Sequence, residues 1–149
     1  KYPSIIEERE IVRLTTGNEI ANLNPVITGE DILAIQQLIR EIPVSDHVIN
    51  YAVDLAAATR PNESNANPIT QKYIEWGAGP RASQYLILAA KAIALFDGRV
   101  SPETRDVKAI AAAVLQHRIV VNYKATGQGL DAVQVTQLLI DEIREEVYA

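Results

Sequence analysis

Residues 82 to 96, ASQYLILAAKAIALF, constrain the fold more than any other stretch, because only Ser83, Gln84 and Lys91 in it are polar. A helix apolar on nearly all sides has to be surrounded by other elements, so a central, buried helix is expected here. Its start is marked in the sequence. Pro80 suits the first helical position, where a missing N–H costs nothing, and Gly79 can cap it. Arg81 runs against local electrostatics, since a cation in the first turn faces the positive end of the helix dipole. Backbone N–H groups and a guanidinium at one helix start make Gly79, Pro80 and Arg81 a candidate anion site, for phosphate above all.

Composition favours helices around this one. The chain has 149 residues, 48% hydrophobic but only 5% aromatic. Apolar bulk from Ala, Ile, Leu and Val favours packed helices over a sheet-rich fold. That length suits one domain burying about two-thirds of its unfolded surface. No apolar run approaches the roughly 18 residues of a membrane span. The opening KYPSIIEERE carries no signal-peptide pattern. With no Met even at position 1, an excised piece of a longer protein is expected. The lack of cysteine removes disulfides, thiolate catalysis and cysteine-held zinc, and fits a cytoplasmic protein. A net charge of −5 argues against a nucleic-acid binder. Much of that excess comes from Asp131, Asp141, Glu142, Glu145 and Glu146 near the end, read as a solvated helix face.

In chain order, Ser4 with Glu7 forms a capping box for a helix over 4–14. Asparagines and Pro25 make 15–27 a connecting loop carrying Ile20, Leu23, Val26 and Ile27. Thr28 caps a helix with Ile32, Ile35, Leu38, Ile39 and Ile42 as its apolar stripe, ended by Pro43. Ser45-Asp46 opens the next, with Val48, Ile49, Ala52, Val53 and Ala56 inward, up to Arg60-Pro61. PNESNANP, 61–68, is a polar exposed loop. Lys72–Trp76 reads as extended, with Arg118–Tyr123 a candidate second strand. Asp97-Gly98 ends the central helix. Ser101-Pro102-Glu103 opens another, whose inner face is Val107, Ile110, Ala111, Val114 and Leu115. Residues 126–129 form a turn. Asp131 then caps a last helix with Val135, Leu138, Leu139, Ile143 and Val147 inward.

Chemistry-bearing motifs are few. GxxxxGK[ST] has no match, and Gly77-Ala-Gly79 is too short for a dinucleotide fingerprint. His47 and His117 lack partners at ligand spacing, so no metal ligand is assigned. Adjacent carboxylates such as Glu7-Glu8, Glu30-Asp31 and Asp141-Glu142 point about 100° apart on a helix and make poor acid–base pairs. Ser83 has no histidine near it in sequence to activate it. Trp76 is expected in the core or at the junction between the extended segment and the helix. No catalytic residue is assigned.

GAGPRAS leading into an Ala/Leu-rich helix resembles the sensor-2 segment of MoxR-type AAA+ ATPases, which usually read GASPRAS. AAKAIALFDGR, the Ser101-Pro102 start, VLQHRIVVN and the upstream VDLAAATRP continue the resemblance over roughly residues 10 to 145. What it resembles is the C-terminal lid alone, an all-α or nearly all-α helical bundle with at most one short β pair. The resemblance implies a linker helix over 1–14 and a lid over 15–149. It implies that Arg81, with Gly79 and Pro80, senses the γ-phosphate of ATP held with Mg2+ in a core absent from this chain. It further implies a homo-oligomeric ring, usually of six subunits, chaperone-like remodelling or complex maturation, and a von Willebrand A-domain partner. The alternative is a free-standing helical interaction module in which Arg81 is an ordinary surface residue. A phosphate loop encoded upstream of Lys1 would decide between the two.

Overall fold

The computed structural model describes residues 2–18, 23–63 and 66–143. Ile20 and Asn22 of the expected loop, Ser64 and Asn65 of the polar loop, and Arg144, Glu145, Glu146 and Val147 at the end lie outside these. The chain divides into two compact units, residues 1–32 and 33–149.

In the first unit, α1 (Ile5–Thr15) is held by its predicted capping box. The Ser4 N–H donates to Glu7 Oε2 at 2.7 Å and the Glu7 N–H to Ser4 Oγ at 3.4 Å. No α1 residue is buried, and Ile5, Ile6, Ile11, Val12 and Leu14 are all exposed. Thr28 caps the following helix reciprocally with Asp31, through N–H bonds of 2.8 and 3.1 Å.

The second unit is a helical bundle with one short ladder. Its elements are the rest of α2 (Gly29–Glu41), α3 (Asp46–Ala58), α4 (Pro68–Tyr73), β1 (Ile74–Trp76) and α5 (Pro80–Phe96), then α6 (Thr104–Leu115), β2 (Val120–Val121), α7 (Tyr123–Gly127) and α8 (Ala132–Glu142). Packing runs from α3 to α5, from α5 to α6 and from α6 to α8. Leu55, Leu86, Val107, Leu115, Val135 and Leu139 are fully buried, so each of these four helices contributes to one core. β1 and β2 pair antiparallel, Ile74 with Val121 and Trp76 with Val120. The Asn122 side chain extends the join by donating to Lys72 C=O at 2.9 Å.

Several expectations shift. α5 is not buried on nearly all sides: only Ala82, Leu86, Ala90 and Ala94 are buried, a four-residue spacing that forms one narrow edge. Three alanines there let α3 and α6 come close, and the larger side chains, Leu88 and Ile93 among them, fall on half-buried flanks. Of the stripe expected on α2 only Ile42, just past the helix end, is buried; Ile35 and Ile39 are half-buried, and Ile32 and Leu38 are exposed. On α3 the inward face is Val48, Tyr51, Ala52, Leu55 and Ala56, leaving Val53 exposed. α4 begins where a loop was expected, because Asn67 Oδ1 accepts the Ile69 N–H at 2.8 Å and Pro68 takes the first position. α7 replaces part of the predicted turn, capped by Asn122. α6 is capped not by Ser101 but by Glu103, in a box with Asp106. Asp106 also receives Arg99 in a two-pronged ion pair, both N–O distances 2.7 Å, and this ties the α5–α6 turn to α6.

Candidate functional site

The segment from Trp76 to Arg81 is anchored at Ala78 by the end of α3. At the end of α3, the Thr59 hydroxyl donates to Ala56 C=O at 2.6 Å and accepts the Ala78 N–H at 2.8 Å. Arg60 Nε donates to Ala78 C=O at 3.0 Å. Both backbone groups of Ala78 are thus held by neighbouring residues of one helix end, with Ala78 itself buried. Thr70 adds a hydroxyl bond to Ala58 C=O, drawing α4 onto the same corner. Gly77 is required by contact: a Cβ there would lie 2.4 Å from the Thr59 carbonyl oxygen and 2.7 Å from Arg60 Cα. Two of the motifs quoted above, Ala-Thr-Arg and Gly-Ala-Gly-Pro-Arg, are therefore one clamp in three dimensions.

Gly77→Ala is accordingly expected to destabilise the chain by about 2–3 kcal/mol, since backbone rather than a flexible side chain must give way. Gly127→Ala, where an added Cβ meets nothing within 4 Å, should stay within about 0.5 kcal/mol. Urea midpoints of the two variants check this.

From the clamp, α5 starts as predicted, with Gly79 as N-cap and Pro80 first. Pro80 has no N–H, and the Ala82 N–H is bonded to Gly79 C=O at 2.9 Å. The Arg81 N–H is left as the unbonded donor of that turn. What this helix start offers for hydrogen bonding is therefore mainly the Arg81 side chain. That side chain is exposed and has no hydrogen-bond or ion-pair partner among the described residues. It lines a groove of about 800 Å³ together with Arg40, Ser83, Gln84 and Tyr85.

The other singled-out residues do not join it. Trp76 is 71% exposed on β1, which corrects the core placement and keeps the junction one. His117 is exposed beside the Arg118 guanidinium, and His47 is half-buried on α3. Glu7, Glu8, Glu30 and Asp31 are exposed, as are Asp141 and Glu142 on α8. Among the described residues no group of three His, Asp or Glu side chains could hold a metal. Sequence reasoning missed the positioning role of Thr59 and Arg60, although their Ala-Thr-Arg motif had been noticed. It also missed Arg40, which in sequence is merely a cation in the last turn of a helix.

A profile of the AAA lid domain family matches residues 66–139. Chaperone MoxR1 of Mycobacterium tuberculosis is 33% identical over 124 residues, covering 83% of this chain and 33% of that protein. Protein MoxR of Paracoccus denitrificans is 36% identical over 74 residues, 46% of this chain and 22% of that protein. A crystal structure from Cytophaga hutchinsonii, of a protein assigned as an ATPase, superposes with a TM-score of 0.77 at 27% identity. It covers 97% of this chain and 44% of its own. Residues 66–139 thus belong to the AAA lid domain family, and the wider likeness of the chain runs to MoxR proteins. The chain spans less than half the length of each of these relatives.

Proposed function

We propose that this lid covers ATP bound in the ATPase core of the full-length protein and that Arg81 reads the terminal phosphate. The observation that carries this is the unpartnered Arg81 guanidinium on a helix start fixed by Thr59, Arg60 and Gly77. When bound, the nucleotide supplies the terminal phosphate charge that a guanidinium recognises as a planar, two-pronged donor. Arg81 would hold that anion, while the clamp makes α5 a rigid lever, so that loss of the contact moves the bundle as one body. The residues present fit the phosphate end of such a ligand. Magnesium ligands and the phosphate loop belong to the core, and this chain alone should show no magnesium-dependent ATP turnover. At the level of the full-length protein the reading extends to a ring, by family resemblance of six subunits, acting as a chaperone-like remodelling or maturation machine. It extends also to a cytoplasmic setting and a von Willebrand A-domain partner.

The test is ATP and ADP affinity plus turnover in full-length wild type, Arg81→Ala and Arg81→Lys. In Arg81→Ala, ATP should weaken about tenfold more than ADP, since a charge-assisted hydrogen bond contributes about 1.5–3 kcal/mol. Hydrolysis should fall with it, and lysine should restore only part. The isolated lid should keep its stability or gain a few tenths of a kcal/mol, because an unfavourable cation–dipole contact is removed. Equal losses for ATP and ADP with unchanged turnover would return Arg81 to an ordinary surface role.

A further inference from the structure

The groove that Arg81 lines is also lined by a second arginine, Arg40, from the last turn of α2. Arg40 makes a bond through its backbone carbonyl, which accepts Lys91 Nζ at 3.2 Å, but its side chain has no hydrogen-bond or ion-pair partner among the described residues. Among the described residues no carboxylate lines the groove; its other polar members, Ser83, Gln84 and Tyr85, are neutral groups able to donate hydrogen bonds. Next to it, Arg118 lies over the Tyr85 ring at 5.1 Å and adds to the positive potential. Two arginines without a carboxylate partner thus line one groove of a chain whose net charge is −5 and which has carboxylates to spare elsewhere. The dipole of α2 accounts for a cation in its last turn. It does not account for that cation sharing a groove with Arg81 and no acid. An anion with several charged oxygens would neutralise both and use both forks.

We propose that Arg40 is a second phosphate-binding residue, so that Arg40 and Arg81 together grip a polyphosphate chain along the groove. This rests on the phosphate-reading role of Arg81 and extends it to a residue on another helix. A polyphosphate can bridge the two cations where a single phosphate reaches one. Inorganic tripolyphosphate should therefore bind this chain more tightly than orthophosphate, and more weakly as salt rises.

The experiment titrates the 149-residue chain with orthophosphate, tripolyphosphate and ATP by calorimetry at low salt, in wild type, Arg40→Ala, Arg81→Ala and Arg105→Ala. Arg40→Ala and Arg81→Ala should each weaken tripolyphosphate about tenfold, with orthophosphate much less affected, and Arg105→Ala should match wild type. ATP losing affinity in parallel identifies its triphosphate tail as a source of the anion; ATP unaffected while tripolyphosphate weakens identifies free polyphosphate, and either supports the grip. Melting curves without ligand separate binding from a structural role: Arg40→Ala should melt close to the wild-type temperature, because the side chain has no bond to lose among the described residues. A lower melting temperature with unchanged tripolyphosphate binding would make Arg40 a helix-end residue and overturn the proposal, as would no tripolyphosphate binding by wild type. If Arg40→Ala weakens tripolyphosphate but full-length Arg81→Ala keeps its ATP-over-ADP preference, the grip stands and the sensing role falls. If Arg81→Ala alone weakens it, sensing stands and the grip falls.

Discussion

Replacing Asp106 with Ala is expected to cost about 3 kcal/mol of folding stability, the low end for breaking a buried ion pair. Asp106 is 3% exposed, accepts both arms of the Arg99 fork and takes the Glu103 N–H at 2.7 Å. Its removal opens the start of α6 and strips the guanidinium of its best partner. Asp97 at 2.8 Å and Glu103 at 3.9 Å stay beside Arg99, which keeps the loss from the high end. Hydrogen bonds from the Arg99 side chain, opposed by burial and helped by the Glu103 N–H, hold the Asp106 carboxyl below the usual carboxylate range. A folded-state pKa below the unfolded one means that the stabilisation is complete above the unfolded value, near 4. It is lost as pH falls through the lower, folded value. Wild type should thus shed this increment below about pH 4. Asp106→Asn, which keeps the cap but cannot ionise, should fall less steeply. Urea unfolding of the three proteins between pH 7 and pH 3 makes the comparison, and parallel curves would refute the pairing as a source of stability.

Leu86→Ala should be comparably damaging, about 3–4 kcal/mol, because the residue is fully buried between helices and leaves a cavity that close-packed neighbours fill poorly. Leu88→Ala should cost only about 1 kcal/mol, since that side chain is half-buried and lines a groove open to solvent. Two leucines two residues apart, about 200° around the same apolar helix, therefore separate the core from its flank. Denaturation midpoints decide it, and near-equal losses would mean that the edge of Ala82, Leu86, Ala90 and Ala94 is not where α5 meets the core.

The contrast between Leu86 and Leu88 also shows where sequence reading stops. ASQYLILAAKAIALF is apolar almost throughout, so periodicity offers no preferred face, and a helix buried all round was the natural expectation. The packed edge is chosen by the partners: α3 and α6 both pack against α5, whose buried residues are Ala82, Leu86, Ala90 and Ala94. The same limit applies to α2, whose stripe at helical spacing is clear in sequence and yet is buried only at Ile42, just past the helix end. Thr59 and Arg60 stood in a noticed motif, but nothing local tells that they hold Ala78, about twenty residues on. Asp106 looked like any acid in a first turn until Arg99 folded back onto it.

What the sequence by itself determined is local in origin. The box at Ser4–Glu7, the Asp131 cap, the Gly79-Pro80 start of α5 and the nearly all-helical class follow from short-range hydrogen bonding and composition. The Val120–Val121 strand follows from β-branched residues too few for a helix. The resemblance of GAGPRAS to a sensor segment was legible too, and led to Arg81. Only the tertiary structure decided which side of α5 is core, that Trp76 stays at the surface, and that Arg40 and Arg81 share one groove without an acid. Those outcomes depend on which distant helices come into contact. Such contacts are set by side-chain volume and charge summed over several elements, and no window of neighbouring residues contains them.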